Sequence, residues 1–584
     1  MDRSLPATLS RLVALDGIPF SKFCTSEDLR RLLSLNNPEK IPKSPNTIKK
    51  IVLEYGQQIF TGVVEEISQR KIRGDSFSIS CDEWTSVRNR RYLNVNLHAS
   101  DTFWNLGLVR IHGSLPAEKC VELLKQKLIE FSLSFNNIIS IITDGAAIMK
   151  KTCELAKINN QVCMAHAIQL AVIKVLYKKC NVEAREDDCH IVHIADCQDS
   201  DSDLEESDNE EGDDGLQISY DFTSSADPQE ILFQSGELNV LIMKIRKVIR
   251  LFRKSPTKND DILQRHVKEE KGKELSLTLD SKTRWNSLLA MLERFFDLKN
   301  SVRKSLIDLK SDISFTEDEM ELLSNTISAL QPIKIAVEAL CRADIDLYVA
   351  DAALEFMLQE LATQSFFLSN NLKEELIERI KERRTIYSDI LQYLYAPEKL
   401  NEKDNYGIFN NVSRNNLMKA IVELVNSIIE NNGDEGIEGV IADEDDNDLQ
   451  STATTTSSTP ITTEENISGK NTPSIPLSIE DKFDQFMKSK TATTAKIDPV
   501  KKNSVKNIVK KEMNYFEDQK IQGKLLQMVF KALKSIKPTS VESERAFSNA
   551  GLICTKLRSR LGDESLNTLS FLRSHFLILK NKKK

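Results

Sequence analysis

The sequence predicts an α+β chain, with one strand-bearing segment at residues 73–182 set among regions that are helical by pattern. Three observations carry this. The stretch Phe77-Ser78-Ile79-Ser80-Cys81-Asp82 alternates, with Phe77, Ile79 and Cys81 on one side and Ser78, Ser80 and Asp82 on the other. That is the period of a half-buried strand. The run Ile138-Ile139-Ser140-Ile141-Ile142-Thr143 is almost continuously apolar, which fits a central strand covered on both faces. Elsewhere apolar residues recur at helical spacing.

Residues 1–72 form a helical N-terminal region. Leu9–Leu15 and Asp28–Leu35 carry helical spacing, and Ser44-Pro45 opens a helix running to about Arg70. Within 73–182, Tyr92–Ala99 alternates Leu93, Val95 and Leu97 against Asn94, Asn96 and His98. Phe103–His112 is a third strand, Arg88-Asn89-Arg90 a hairpin connection and Gly107 a bulge position. Pro116 starts a helix over Ala117–Phe131. The Ile138 strand then returns to pair in parallel, a crossover expected to be right-handed. Ala146–Ile158 and Ala165–Lys178 read as helices, with a short strand around Gln161–Met164.

Residues 183–228 are acidic and Ser-rich, a composition too poor in apolar surface to order itself. Residues 229–431 read as all-helical, through Asn239–Phe252, Thr283–Leu298, Glu317–Leu340 and Leu347–Phe367, with Pro332 expected to kink or split the third. A second disordered linker, rich in Ser, Thr and Pro, covers 432–480. Helices return in 481–584: Lys524–Ile536, Val541–Leu552 and Glu564–Leu579.

The chain has 584 residues and a formal net charge of -8, so no bulk basic character advertises nucleic acid. Base is nonetheless concentrated in Lys244–Lys254, Lys501–Lys511 and Lys580–Lys584. Ten cysteines are scattered without a disulfide-framework spacing. The N-terminus lacks an apolar signal region, and no stretch is apolar enough to span a bilayer. A soluble intracellular protein with no membrane partner is expected.

Two strand-like runs each lead to a carboxylate, Asp82 and Asp144. Neighbouring strands would hold these side by side, a pair suited to a hard divalent cation such as Mg²⁺ or Mn²⁺. A two-metal site clamping a phosphodiester needs a third carboxylate. Glu544 is a candidate, although its local reading is a helix-start acid satisfying the helix dipole, with Ser540 or Ser543 as cap. Cys163 and His166 form a Cys-x-x-His pair without two further ligands at suitable spacing. Cys189, His190, His193 and Cys197 lie in the acidic run, where no scaffold would fix them. Zinc is therefore not expected in this chain. Lys244, Arg246, Lys247 and Arg250 lie on an amphipathic basic helix, read either as a solvated face or as phosphate contacts.

An ordered set of motifs resembles the hAT transposase family. The set is Asp82-x-Trp84-Thr85-Ser86, Thr143-Asp144-Gly145-Ala146-Ala147, Cys163-Met164-Ala165-His166, Thr283-Arg284-Trp285-Asn286 and Ser543-Glu544-Arg545-Ala546-Phe547-Ser548. The resemblance spans residues 8–577 and is strongest in the last block. It implies a ribonuclease-H-like core interrupted by a large all-helical insertion, completed by a C-terminal dimerisation region. It also implies a catalytic triad of Asp82, Asp144 and Glu544 holding two Mg²⁺ or Mn²⁺ ions, with His166 near the scissile phosphate. Trp285 would stack on a flipped base, physically reasonable at about 1–3 kcal/mol, and Arg284 would hold a phosphate. The bland reading of Trp285 is core.

The implied partners are DNA, as transposon ends and target, and a second copy of the chain, in the nucleus. Phe547, Leu552, Leu569, Phe571, Leu572 and Phe576 supply an apolar surface for a homodimer or higher oligomer, or for burial within the same chain. Family members usually begin with a BED-type zinc finger, and no Cys-x-x-Cys with a downstream His pair precedes Asp82. Transposon-end recognition by such a finger is therefore not expected from these residues. The competing reading is a domesticated, non-catalytic dimeric nuclear protein with a regulatory or chromatin-associated role.

Overall fold

The computed structural model describes residues 2–36, 41–86, 88–178, 232–233, 235–280, 285–401, 406–409, 411–432, 499–554 and 561–581. It is mostly helical with a small mixed sheet. The chain divides into a larger unit, 1–411 with 531–584, and a smaller one, 412–530. The acidic segment 183–228 and nearly all of the 432–480 linker lie outside the described residues.

The sheet of the larger unit has five strands: β1 (Phe77–Thr85), β2 (Arg91–His98), β3 (Phe103–Ile111), β4 (Ile138–Thr143) and β5 (Asn159–Val162). Their order is β3-β2-β1-β4-β5. β1 pairs antiparallel with β2 and parallel with β4, and β4 pairs parallel with β5. The meander, helix and returning strand thus follow the expected order, with Ala117–Glu130 as the crossover helix. Asn89 (φ 54°) takes the left-handed conformation that the β1–β2 turn needs, which asparagine tolerates.

One expectation about β1 is corrected. Its first five residues, Phe77–Cys81, are buried on both faces, and Ser78 and Ser80 are 0% exposed. The alternation is real, but the polar side faces a second layer of protein instead of water. Ser78 Oγ lies 2.8 Å from Ser535 Oγ, Ser80 Oγ 2.9 Å from His98 Nε2, and Asn96 Nδ2 donates to Ser543 Oγ at 3.1 Å. Ser78 and Asn96 thus meet hydroxyls brought from the far C-terminal region, while Ser80 is met from the neighbouring strand. The strand also continues three residues past Asp82, to Thr85.

Gly107 sits at the expected bulge: Val95 pairs with Gly107 and Asn96 with Asn105. Its φ is +103°, and a Cβ there would meet Asn567 Oδ1 at 2.2 Å. That oxygen accepts from Leu108 N at 2.8 Å, pinning the last helix, Asp563–Asn581, to β3. Gly107→Ala is expected to cost roughly 2–3 kcal/mol, from forced positive φ plus displacement of Asn567. Urea unfolding measures it; a change under about 0.5 kcal/mol would show that the clamp is dispensable.

A second core of the larger unit is helical and includes Trp285, Leu288, Leu292, Leu330 and Leu358. Thr316 and Glu319 form a capping box at the start of Glu317–Leu340. This helix runs unbroken through Pro332, against the expectation of a split. Proline removes the donor to the Ser328 carbonyl, and Gln364 Nε2 replaces it at 2.9 Å. The predicted Leu347–Phe367 helix is instead two, Leu347–Ala362 and Phe367–Arg383. A two-residue bridge between Tyr177–Lys178 and Leu232–Phe233 interrupts the all-helical pattern.

In the smaller unit, helix Arg414–Asn432 packs with Pro499–Gln519. Arg414 Nε donates to Glu517 at 2.8 Å. Glu512, in a buried position, accepts from Leu525 N and Leu526 N, capping the helix Lys524–Lys534. No described helix is long and apolar enough to cross a membrane.

Candidate active site

Asp82 and Asp144 come together through strand register. β1 and β4 pair Ser80 with Ile142. Two residues beyond each of these stand Asp82 and Asp144, at the same end of adjacent parallel strands. Their charges interact: the Asp82 carboxyl is pushed up to about 7, first by burial and then by the negative charge of Asp144. The Glu83 N–H, donating to Asp82 Oδ1 at 2.7 Å, opposes this only in part.

Asp144 follows β4 and starts a helix. Its Oδ1 accepts from Ala146 N at 2.9 Å, just before Ala147–Ala156. Gly145 makes this turn at φ +91°, where a Cβ would lie 2.7 Å from Val162 Cγ1. The next strand end is tied to the same point, with Cys163 N donating to Thr143 O at 2.7 Å. Cys163 precedes the helix Met164–Leu176, which brings His166 within electrostatic reach of Asp144. The His166 pKa is lowered, mainly by burial and then by Arg383, so its imidazole is largely neutral near pH 7.

Helix Val541–Ile553 carries Glu544 to the same region, lying against β1 and β2. Met164 N donates to Pro538 O at 2.9 Å, and Phe547 stacks on Trp84 with ring centroids 6.2 Å apart. Glu544 acts electrostatically on Cys163 and Cys341. It lines a cavity of about 740 Å³ with Asp346, Lys537, Arg545 and Arg573, and neither Asp82 nor Asp144 lines that cavity. Among the described residues, no three His, Cys, Asp or Glu side chains are grouped closely enough to share an ion. The fold therefore returns Glu544 from far along the chain to the neighbouring layer, without closing one cluster with the aspartates.

The donor set fits Mg²⁺ or Mn²⁺ in part. Two hard carboxylates stand at the same end of adjacent strands, and a cation between them would relieve the repulsion that Asp144 exerts on Asp82. Mg²⁺ is commonly held by one or two carboxylates together with water and substrate phosphate.

The other expected DNA contacts are redistributed. Trp285 is 1% exposed and packs in the helical core, so as placed here it is not available to stack on a base. Arg246 is buried against Asp280, with Nε donating at 2.9 Å. Lys244 is held by Glu319 at 2.7 Å and lies over Phe315. Lys247 is exposed and Arg250 half-buried, which leaves those two on the solvent side of helix Gly236–Arg253. Apolar spacing on that helix determined which face went inward, and Arg246 went with it. Arg284 and the Cys189–Cys197 cluster lie outside the described residues.

The apolar residues expected at a dimer surface are mostly used inside the chain. Leu569, Phe571, Leu572 and Phe576 are buried in the sheet core, with Phe547 partly buried against it. Leu552 is 60% exposed.

Sequence reasoning did not single out Arg383, the last residue of helix Phe367–Arg383. Its Nη1 donates to Cys163 O at 2.9 Å. Nothing local marks it: it sits in the run Lys381-Glu382-Arg383-Arg384, which reads as an ordinary basic helix end.

Residues 232–329 match the family model described as the ZBED1 RNase-like helical domain, and residues 505–576 match the hAT family C-terminal dimerisation region. No curated protein matches the chain.

Proposed function

The two matches support an hAT-family transposase-like protein, and from that premise we propose that this chain cleaves and rejoins DNA in the nucleus, using the Asp82–Asp144 pair with a divalent metal. The C-terminal match supports a homodimer or higher oligomer. The observation that carries the proposal is the meeting of Asp82 and Asp144 on adjacent parallel strands, close enough for one carboxylate to raise the pKa of the other. The sheet order β3-β2-β1-β4-β5, with one antiparallel and two parallel pairings from β2 to β5, suits a ribonuclease-H-like core.

In this reading Asp82 and Asp144 would hold Mg²⁺ or Mn²⁺, which would supply Lewis-acid polarisation of the scissile phosphate. Asp144 is oriented by the Ala146 N–H, so its position does not depend on the metal. His166, kept neutral by burial, accepts a proton from the attacking water. Water attack nicks the transposon end, and the freed 3′-OH then performs strand transfer. Glu544, on helix Val541–Ile553 in the adjoining layer, is the candidate third carboxylate of this reading. Nicking of supercoiled DNA in Mg²⁺ or Mn²⁺, against an EDTA control, tests the proposal; no metal-dependent nicking would overturn it.

The separate position of Glu544 favours a second reading, a domesticated and non-catalytic dimeric nuclear protein with a regulatory or chromatin-associated role. Retained self-association without cleavage would support it.

Exposed Leu552, within the dimerisation match, provides a test of assembly. Leu552→Glu is expected to leave the circular dichroism spectrum intact and weaken self-association about tenfold or more, as burying an unpaired charge in an interface requires. Light scattering across a dilution series reads this. An unchanged mass distribution would remove Leu552 from the interface.

A further inference from the structure

We propose that Arg383 binds a DNA phosphate beside Asp144, so that the helical region contributes a cation to the carboxylate site. This rests on the reading that the Asp82–Asp144 pair acts on DNA.

The position is built by hydrogen bonds from three elements. Thr143 O accepts from Cys163 N at 2.7 Å, and Cys163 O accepts from Arg383 Nη1 at 2.9 Å. Asp144 is the residue after Thr143, so the guanidinium is anchored where that carboxylate leaves the sheet. Gln161 of β5 secures the backbone on the other side. Its Nε2 donates to Arg383 O at 3.4 Å, and its Oε1 accepts from Thr385 Oγ1 at 3.2 Å. The helix is also held along Met164–Leu176, where Lys174 and Glu375 pair at 2.5 Å.

The charge of Arg383 is uncommitted where its neighbour's is spent. Arg384 is buried between Asp351 and Asp389, pairing with them at 3.0 and 2.6 Å. Among the described residues, no carboxylate lies within ion-pair distance of Arg383, although its charge reaches Asp144 and His166. A guanidinium has five donors in a planar fork, and one of them is used at Cys163 O. Arg383 as a whole is half-buried. An uncompensated arginine beside a carboxylate site lowers the repulsion that a polyanionic phosphodiester would meet there. A purely structural role would need only the bond to Cys163 O.

The test compares full-length wild type, Arg383→Gln and Arg383→Lys in DNA binding across a salt series and in metal-dependent nicking. Glutamine retains a donor for Cys163 O and loses the charge; lysine retains the charge. Arg383→Gln is expected to lower the slope of log K against log salt by about 0.9 and to reduce nicking about tenfold to a hundredfold. Arg383→Lys is expected to restore the slope and part of the nicking. Equal slopes for all three proteins would overturn the proposal, including the case in which only the melting temperature falls. Absent nicking by wild type in either metal, with the slope difference intact, would overturn the cleavage reading and leave the phosphate contact standing.

Discussion

Asp144→Ala is expected to bring metal-dependent nicking down to the EDTA background, a loss of about a thousandfold or more, because a metal-holding carboxylate acts as a unit with its partner. The structural cost should be small by comparison. Asp144 is half-buried, and its one observed hydrogen bond is the cap from Ala146 N. Losing such a cap costs about 1 kcal/mol. Activity and stability therefore separate in this variant, and nicking rates set beside urea midpoints measure both. Wild-type nicking by a folded Asp144→Ala protein would remove Asp144 from the site.

Asp82 should make stability depend on both pH and metal. Its carboxyl is raised from an ordinary 3.8 to about 7 in the folded chain. Between these values the folded state holds a proton that the unfolded state has released. Stability contributed by this group is thus fully present below about pH 4, falls as pH rises through about 7, and stays lower above that. Mg²⁺ competes with the proton and should matter most where the proton is gone. At pH 8, metal at a hundred times its Kd should add about 2.7 kcal/mol, and at pH 5 clearly less. Asp82→Asn should flatten the pH 4–8 dependence attributable to this site and abolish the metal-induced rise in Tm. Melting curves at pH 5 and 8 with and without Mg²⁺ decide the matter. A metal-induced rise of equal size in Asp82→Asn would mean the ion binds elsewhere.

Much of the fold could be read from local pattern because the relevant physics is local. Period-two runs identified β1 and β2, and the apolar run identified β4. Glu317–Leu340 emerged with the predicted ends, where a capping box marks its start. Local pattern failed where a partner came from far away. Pro332 was expected to kink or split its helix; the helix is not split, and Gln364, from the loop before the next-but-one helix, donates to the carbonyl that the proline leaves without a partner. The serines of β1 were expected to face water, but the C-terminal region covers them with matching polar groups. Trp285, Arg246 and most of the apolar C-terminal residues were open to surface roles, and packing drew them inside.

By itself the sequence determined that two strands would each deliver an aspartate, since alternation and apolar runs are properties of consecutive residues. Only the tertiary structure decided that β1 and β4 are neighbours in register, because parallel pairing across a crossover is set by the whole sheet. It alone brought Arg383 to the sheet end beside Asp144 and set Glu544 in the adjoining layer, facing another cavity. Residues hundreds of positions apart meet through the burial of the surfaces that carry them, and that burial is a property of the packed chain.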